Sequence, residues 1–140
     1  MHRILIPIDG SPFSRRAMEM GKDIAKVYGS KITLMNVVNP MTPNLTLEES
    51  IAFLKMMNAK SKRLLEESKK YFDDLTNEVE LVSLEGDIAS TIGEYADRHE
   101  FDLVIMGSQG LNAGRIRGVF IGSITNKVIH ITHRPILVIK

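Results

Sequence analysis

The sequence predicts an α/β fold in which helices cover both faces of one parallel sheet of five strands. Five short apolar runs alternate along the chain with longer segments whose apolar residues recur at helical spacing. Such alternation is typical of parallel strands joined by right-handed helical crossovers. With 140 residues, the chain is expected to form one domain that spans residues 1–140.

The first three elements follow from patterns near the N-terminus. Residues 3–8 form a nearly continuous apolar run, which is typical of a strand buried on both faces. Ser11 and Pro12 indicate an N-cap and the first helical position, where proline lacks only an N–H that has no partner in the helix. This helix is expected to stop at Gly29, and residues 31–38 are the second predicted strand.

The middle of the chain predicts a long helix, a strand and a shorter helix. The tetrapeptide Thr-Leu-Glu-Glu at 46–49 is typical of a capping box, and the helix that it opens is expected to end at about Leu75. Residues 78–86 form the third predicted strand. Asp87 is expected to cap the next helix, which continues to about His99.

The C-terminal elements surround a glycine-rich segment. Residues 102–107 predict the fourth strand, and residues 134–140 the fifth, with a helix from about Ser123 to Thr132 between them. Five glycines separate the fourth strand from that helix, at positions 107, 110, 114, 118 and 122. So many glycines add to the entropic cost of ordering the backbone, which indicates a functional reason for them.

The composition of the chain limits the kinds of surface, chemistry and location that can be expected for it. The chain has 18 basic and 17 acidic side chains, so its net charge of +1 gives no support to a nucleic-acid or membrane surface. It has no cysteine, which excludes disulfides, thiolate metal sites and thiol catalysis. The N-terminal apolar run is too short for a signal sequence or a membrane span, so a cytoplasmic protein is expected.

Two segments are expected to form a ligand site at the carboxyl edge of the sheet. In parallel α/β sheets, ligands bind beyond the carboxyl ends of the strands, where the strand order reverses. Residues 7–11 follow the first predicted strand, and residues 107–123 follow the fourth. If these two strands are neighbours, the two segments share one crevice.

The glycine-rich segment suits the backbone of a phosphate site. Gly107 and Gly110 permit close approach, and Gly122 with Ser123 stands at the expected start of a helix, whose free N–H groups favour an anion. Two alternatives stay open, a surface loop without ligand and glycines required by packing. The chain has neither a P-loop nor a G-x-G-x-x-G motif after its first strand, which argues against rapid phosphoryl or hydride transfer.

Two other polar patterns have weaker claims to a site. Asp9 could serve as a base or metal ligand, but a hydrogen bond to a ribose or adenine, or a water-mediated Mg²⁺ contact, suits a lone carboxylate better. His130 and His133 have a spacing that could bind a metal on one helix face, although no third ligand is evident. No catalytic residue is predicted.

Four stretches of the sequence resemble the universal stress protein family, at residues 4–11, 34–38, 85–110 and 122–140. The resemblance covers nearly the whole chain. It implies a single α/β domain whose parallel strands are ordered 3-2-1-4-5, usually assembled as a homodimer. One branch of the family binds ATP through the pattern G-x2-G-x9-G-[S/T], and another branch lacks that pattern.

Carried over to this chain, the resemblance implies an ATP site in three parts. Pro7 and Asp9 would face the adenosine, and Val37 would meet the adenine through its backbone. Met106 and Gly107 would lie by the ribose. The residues expected by the phosphates are Gly110, Gly122, Ser123 and Ile124.

The chain departs from the ATP-binding pattern in the length of one segment. Eleven residues, 111–121, separate Gly110 from Gly122 where the pattern has nine, which is a two-residue insertion. Within this segment, Arg115 and Arg117 either donate charge-assisted hydrogen bonds to a triphosphate or are solvated.

The expected function is an ATP-binding protein, with Mg²⁺, that acts as a nucleotide-dependent switch or sensor in the stress response. Its C-terminal strand, at the sheet edge in the family's strand order, is expected to pair two chains as a homodimer. A slow ATP hydrolase is one alternative, because the chain lacks the usual apparatus of an efficient one. A dimerising module that binds no nucleotide is the other.

Overall fold

A computed structural model describes residues 1–41, 44–111 and 121–140 as alternating strands and helices. The strands are β1 (Arg3–Pro7), β2 (Lys31–Val38), β3 (Val79–Glu85), β4 (Leu103–Gly107) and β5 (Ile136–Ile139). The helices are α1 (Pro12–Tyr28), α2 (Leu47–Lys69), α3 (Ile88–Arg98) and α4 (Ser123–Ile131), and a 3-10 turn, Lys70–Phe72, follows α2. In this part of the chain, no helix is both long and apolar enough to cross a bilayer.

The five strands form one sheet in the order β3-β2-β1-β4-β5. Every neighbouring pair is parallel, and β1 lies at the centre, with Leu5 opposite both Thr33 of β2 and Val104 of β4. The predicted α/β fold and its strand order are therefore confirmed. Because β1 and β4 are neighbours, the segments that follow them leave the sheet side by side.

Helix starts agree with the capping residues expected from the sequence. The Ser11 hydroxyl accepts a hydrogen bond from the Ser14 amide at 3.1 Å, and the Asp87 carboxylate accepts one from the Ser90 amide at 3.1 Å. At α2, Thr46 and Glu49 form the full capping box, since each side chain accepts a bond from the other's backbone amide. These caps satisfy amides that the first turn of a helix leaves without partners.

The end of α2 differs from the expectation. The α-helix was expected to continue to about Leu75, but it ends at Lys69 and tightens into the 3-10 turn. The Tyr71 carbonyl accepts a hydrogen bond from Lys22 Nζ at 2.8 Å, and the Leu75 amide donates instead to Phe72 at 2.9 Å. The contact with α1 therefore replaces the next α-helical hydrogen bond. Other element ends differ from the predictions by one or two residues, as is usual for such boundaries.

Two apolar layers hold the helices on opposite faces of the sheet. The layer under α1 and α2 contains Ile4, Ile6, Ile8, Ala17, Met18, Ala25, Ile32, Leu34, Leu65, Phe72, Leu103 and Ile105. The layer under α3 and α4 contains Leu5, Met35, Val37, Ala89, Ile92, Ala96, Phe101, Val104, Met106 and Val128. Alternate residues of the central strands supply the two layers, because successive side chains of a strand point to opposite faces.

Candidate functional site

A cavity of about 760 Å³ lies where the carboxyl ends of β1 and β2 meet α2. Asp9 lines it after β1, Asn36 and Val37 line it at the end of β2, and Met57 and Lys60 line it from α2. This volume is within the range of roughly 300–1,000 Å³ that is typical of pockets for small molecules. Its place at the carboxyl edge of a parallel sheet is the one at which such folds bind ligands.

Helix α2 forms the outer wall of the cavity. Asn58 Nδ2 donates to Glu85 at 2.8 Å, and the hydroxyl groups of Ser61 and Ser83 are 2.7 Å apart, so α2 is anchored to β3. At Gly10, whose φ is +85°, an added Cβ would be 3.5 Å from Leu64 Cδ1. The chain after β1 therefore passes directly beside α2 and closes that end of the cavity.

The Asp9 carboxylate joins the two segments that were expected to share a crevice. Its Oδ1 accepts a hydrogen bond from the Ser11 amide at 2.8 Å, and its Oδ2 accepts one from the Leu111 amide at 3.1 Å. Asp9 is half-buried, and Leu111 also lines the cavity. The Asp9 side chain thus bonds the chain after β4 to the chain after β1.

The glycines after β4 have close neighbours within the protein. An added Cβ at Gly107 would be 2.6 Å from Phe13 Cβ, so α1 can pack this closely only on a glycine. At Gly110 the added atom would be 2.8 Å from Asp9 Oδ2, and at Gly122 it would be 3.2 Å from the Ser108 carbonyl oxygen. Packing, which was one of the open alternatives, is therefore a sufficient reason for glycine at position 107, where the backbone of Phe13 is also close, whereas the neighbour at position 110 is the end of a side chain.

The start of α4 is fastened to the chain that follows β4. The Gly122 amide donates to the Ser108 carbonyl at 2.7 Å, and the Thr125 hydroxyl donates to the Gly107 carbonyl at 2.8 Å. Gly122 is the N-cap residue and Ser123 the first helical residue. The amides of a first helical turn have no acceptor within the helix, so this end of α4 can receive an anion.

The described residues of the predicted site take three positions around this edge. Asp9 and Val37 line the cavity itself. Pro7 and Met106 are buried in β1 and β4, and Ile124 packs against the apolar layer under α4. Gly107, Gly110, Gly122 and Ser123 stand at the neighbouring β4–α4 corner. Arg115 and Arg117 belong to residues 112–120, outside the described part of the chain.

Four polar residues of the cavity were not predicted as site residues: Asn36, Asn39, Lys60 and Ser61. Lys60 lines the cavity from α2 and contributes a cation, and the half-buried Asn36 lines it from β2, where its Nδ2 donates to the Ile8 carbonyl at 2.7 Å. The sequence did contain a signal for Asn36, because asparagine is disfavoured in strands and this one interrupts the apolar run of β2. No local pattern distinguishes Lys60 from the other lysines of α2.

The histidine pair does not have the arrangement that a metal site on one helix face requires. His130 lies in the last turn of α4, whereas His133 lies beyond the end of the helix and its Nδ1 is 3.0 Å from Asp97 Oδ2. The Thr132 hydroxyl and His133 hold the pKa of Asp97 below its ordinary value. Across residues 1–41, 44–111 and 121–140, no three acidic, histidine or cysteine side chains are grouped as metal ligands.

Solved structures share this fold over nearly their full length. The universal stress protein UspA from Lactobacillus plantarum has a TM-score of 0.88 at 23% identity, with 99% of this chain and 97% of that chain covered. A universal stress protein from Archaeoglobus fulgidus, solved in complex with dAMP, has a TM-score of 0.71 at 19% identity, with 100% and 98% covered. Other universal stress protein structures of the same fold are complexes with cAMP, at a TM-score of 0.74, and with AMP, at 0.69. Some structural neighbours therefore bind nucleotides.

Sequence comparison agrees with the structural one. A universal stress protein of Synechocystis sp. is 32% identical over 143 residues, which cover 97% of this chain and 83% of that protein. A universal stress protein of Methanocaldococcus jannaschii is 29% identical over 141 residues, which cover 99% of this chain and 81% of that protein. Residues 1–140 as a whole match the description "Universal stress protein family". The chain belongs to the universal stress protein family.

Proposed function

We propose that this protein binds ATP at the carboxyl edge of its sheet and acts as a nucleotide-dependent, homodimeric switch or sensor in the stress response. The observation that carries the proposal is the cavity of about 760 Å³ between the ends of β1 and β2 and helix α2. It is large enough for a nucleoside, and it opens beside the β4–α4 corner, where backbone amides suit phosphate. Residues 1–140 act in this proposal as one cytoplasmic domain.

The adenosine has suitable partners at the end of β1 and β2. Each oxygen of Asp9 accepts one backbone hydrogen bond and keeps a further lone pair for a ribose hydroxyl or an adenine amine. The Met35 carbonyl accepts from the Ile8 amide at 2.7 Å, and backbone groups alternate in direction along a strand. The backbone of Val37 is therefore directed past the end of β1, toward the adenine position in the proposal.

The phosphates have suitable partners at the β4–α4 corner. Gly122 and Ser123 begin α4 there, and the free amides and positive dipole end of its first turn favour an anion. Of the acidic side chains in the described residues, Asp9 is the one that lines the cavity. Mg²⁺ would accordingly be held mainly by the phosphate oxygens and water, which is its usual mode with nucleotides.

Family membership supports the proposal that the protein binds a nucleotide, since some universal stress protein structures of this fold are complexes with AMP, dAMP or cAMP. The absence of a P-loop lysine from the sequence supports a switch over an efficient ATPase. The dimer rests on β5, which is an edge strand whose residues are all half-buried, whereas those of β4 are all buried. An apolar edge of this kind favours pairing with a second chain.

The proposal is tested by thermal unfolding of purified protein with and without ATP and Mg²⁺. A ligand that binds only the native state must raise the melting temperature, so we expect an increase that grows with ATP concentration. Nucleotide released from freshly purified, denatured protein is analysed alongside. If millimolar ATP leaves the melting temperature unchanged and no nucleotide is released, the result would favour a dimerising module that binds no nucleotide. An overnight hydrolysis assay then separates the switch from the slow ATPase.

A further inference from the structure

Asn36 is a polar side chain in a part of β2 where an apolar one would pack better. Its neighbours Met35, Val37 and Val38 are buried, and asparagine is among the residues that strands disfavour. Asn36 is half-buried and lines the cavity. Strand propensity does not favour an amide at this position, and the structural role that it has is one hydrogen bond to the Ile8 carbonyl.

The orientation of the Asn36 amide follows from its one hydrogen bond. The Ile8 carbonyl oxygen lies 2.7 Å from the side-chain nitrogen, and a carbonyl can only accept, so the NH₂ group must face it. The other polar atom, Oδ1, then faces away from Ile8. It has no hydrogen-bond partner within the described residues. Thr33 Oγ1 is the buried side-chain atom without a partner in the described residues, so Asn36 Oδ1, at the open cavity, is reached by water in the free protein. A ligand that displaces this water must supply a donor in its place to avoid losing affinity.

The surroundings of Asn36 define what kind of donor fits. Val37, Phe53 and Met57 line the same cavity with apolar surface, which suits the faces of a planar base. Along its edge, such a base must present an N–H group to an oxygen that can only accept. An exocyclic amine meets this requirement. A ring carbonyl at the same position would place its oxygen against Asn36 Oδ1, and two acceptors cannot form a hydrogen bond.

We propose that Asn36 is a specificity-determining residue whose Oδ1 accepts a hydrogen bond from the amine at C6 of the adenine ring. The inference rests on the proposed function. It adds a physical reason why the cavity would prefer a purine with an amine at C6 to one without it. The bond from Asn36 Nδ2 to Ile8 holds the acceptor in position before the ligand arrives, so little side-chain entropy is lost on binding. A site with a fixed polar group of this kind rejects the analogue that leaves it unpaired.

The test compares ATP with purine riboside 5′-triphosphate, which lacks only the C6 amine, by calorimetric titration of the full chain. We expect wild type to bind ATP about tenfold more tightly, which is the effect of roughly one buried hydrogen bond. In Asn36→Ala the preference should fall to about twofold, because the acceptor is gone. The matched control is Asn77→Ala, since Asn77 is a half-buried asparagine whose Nδ2 donates to the Ala25 and Ser30 carbonyls outside the cavity lining, and it should keep the tenfold preference.

The outcomes separate this inference from the proposed function. If wild type binds neither nucleotide, the proposed function is wrong and the role of Asn36 with it. If wild type binds both equally, or Asn36→Ala keeps the full preference for ATP, nucleotide binding stands and the role of Asn36 is overturned. The ribose hydroxyls are the same in both ligands. If Asn36 bonded to the ribose, Asn36→Ala would therefore keep the full preference for ATP. Asn36→Leu, which keeps the branching at Cγ but has no polar atom, replaces Asn36→Ala if that variant does not fold.

Discussion

At the residue scale, Asp9 has the clearest position in the site. It accepts one hydrogen bond from its own side of the crevice, at Ser11, and one from the other side, at Leu111. We expect Asp9→Ala to weaken ATP binding at least tenfold, or about 1.4 kcal/mol, because it removes a ligand acceptor and loosens the crevice. Isothermal titration measures the change.

Asp23→Ala is the matched control, since Asp23 is an exposed aspartate on α1 away from the cavity lining. This variant should bind ATP as wild type does. Both variants should keep the wild-type circular dichroism spectrum, because the β1–β4 pairing does not depend on either side chain. An unchanged affinity in Asp9→Ala would show that the adenosine does not lie at this residue.

We expect the substitution of valine for threonine to have opposite effects on the free energy of unfolding at two buried positions. Thr33 Oγ1 in β2 is buried without a hydrogen-bond partner in the described part of the chain, whereas Thr125 Oγ1 in α4 donates to the Gly107 carbonyl at 2.8 Å. Thr33→Val should therefore raise the free energy of unfolding by about 1 kcal/mol, and Thr125→Val should lower it by about 1–3 kcal/mol. Urea unfolding of both variants measures the difference, and equal signs would contradict the prediction.

At the scale of elements, Asp97 links α3 to the end of α4. Its carboxylate accepts from the Thr132 hydroxyl at 2.6 Å and from the His133 amide at 3.0 Å, and the pKa of Asp97 is lowered by these bonds, chiefly the first. Because the pKa is lower in the folded state, the charged form stabilises the fold above the ordinary value of 3.8, and this contribution is lost as pH falls through the native pKa.

We therefore expect Asp97→Ala to melt at a lower temperature than wild type near neutral pH. The difference should shrink as pH falls below 3.8, because the unfolded chain then takes up the proton and the native carboxylate follows at its lower pKa. Melting curves across this range measure it, with Asp23→Ala as the control for loss of an aspartate charge. A difference that is the same at every pH would mean that the carboxylate charge does not hold α4 in place.

Element starts were predictable from sequence, and one element end was not. Ser11, Thr46 and Asp87 were expected as N-caps and each accepts the expected backbone hydrogen bond, because a cap bonds within its own first turn. The end of α2 depends on Lys22, which is 49 residues away from Tyr71 in sequence. A contact of that range leaves no local pattern, so the helix was predicted to be too long.

At the scale of the whole molecule, the proposed homodimer depends on β5, an edge strand of the sheet. Leu137 and Ile139 pack against the layer under α1, and Ile136 against the layer under α4, while the half-buried Val138 belongs to neither. We expect Val138→Lys to convert the proposed homodimer to a monomer, because it places a charge in an apolar strand contact without removing a core residue.

Light scattering at micromolar protein concentration measures the mass of both proteins. Val27→Lys is the matched control, since Val27 is a valine on α1 that is 77% exposed, and it should remain dimeric. A wild-type monomer, or a dimeric Val138→Lys, would contradict assembly through β5. The melting temperature of Val138→Lys should depend less on protein concentration than that of wild type, since association stabilises only the dimer.

The sequence by itself determined the alternation of strands and helices, the caps and the parallel sheet, because periodicity and capping are local properties of the chain. The strand order and the residues of the proposed ATP site came from the family resemblance instead, and the structure bears out the order. Only the tertiary structure decided that Gly107 makes room for Phe13, that Gly110 faces Asp9 and that Asn36 and Lys60 line the cavity. Each of these facts joins residues from different elements, and the distance between elements is set by packing, which no short stretch of sequence records.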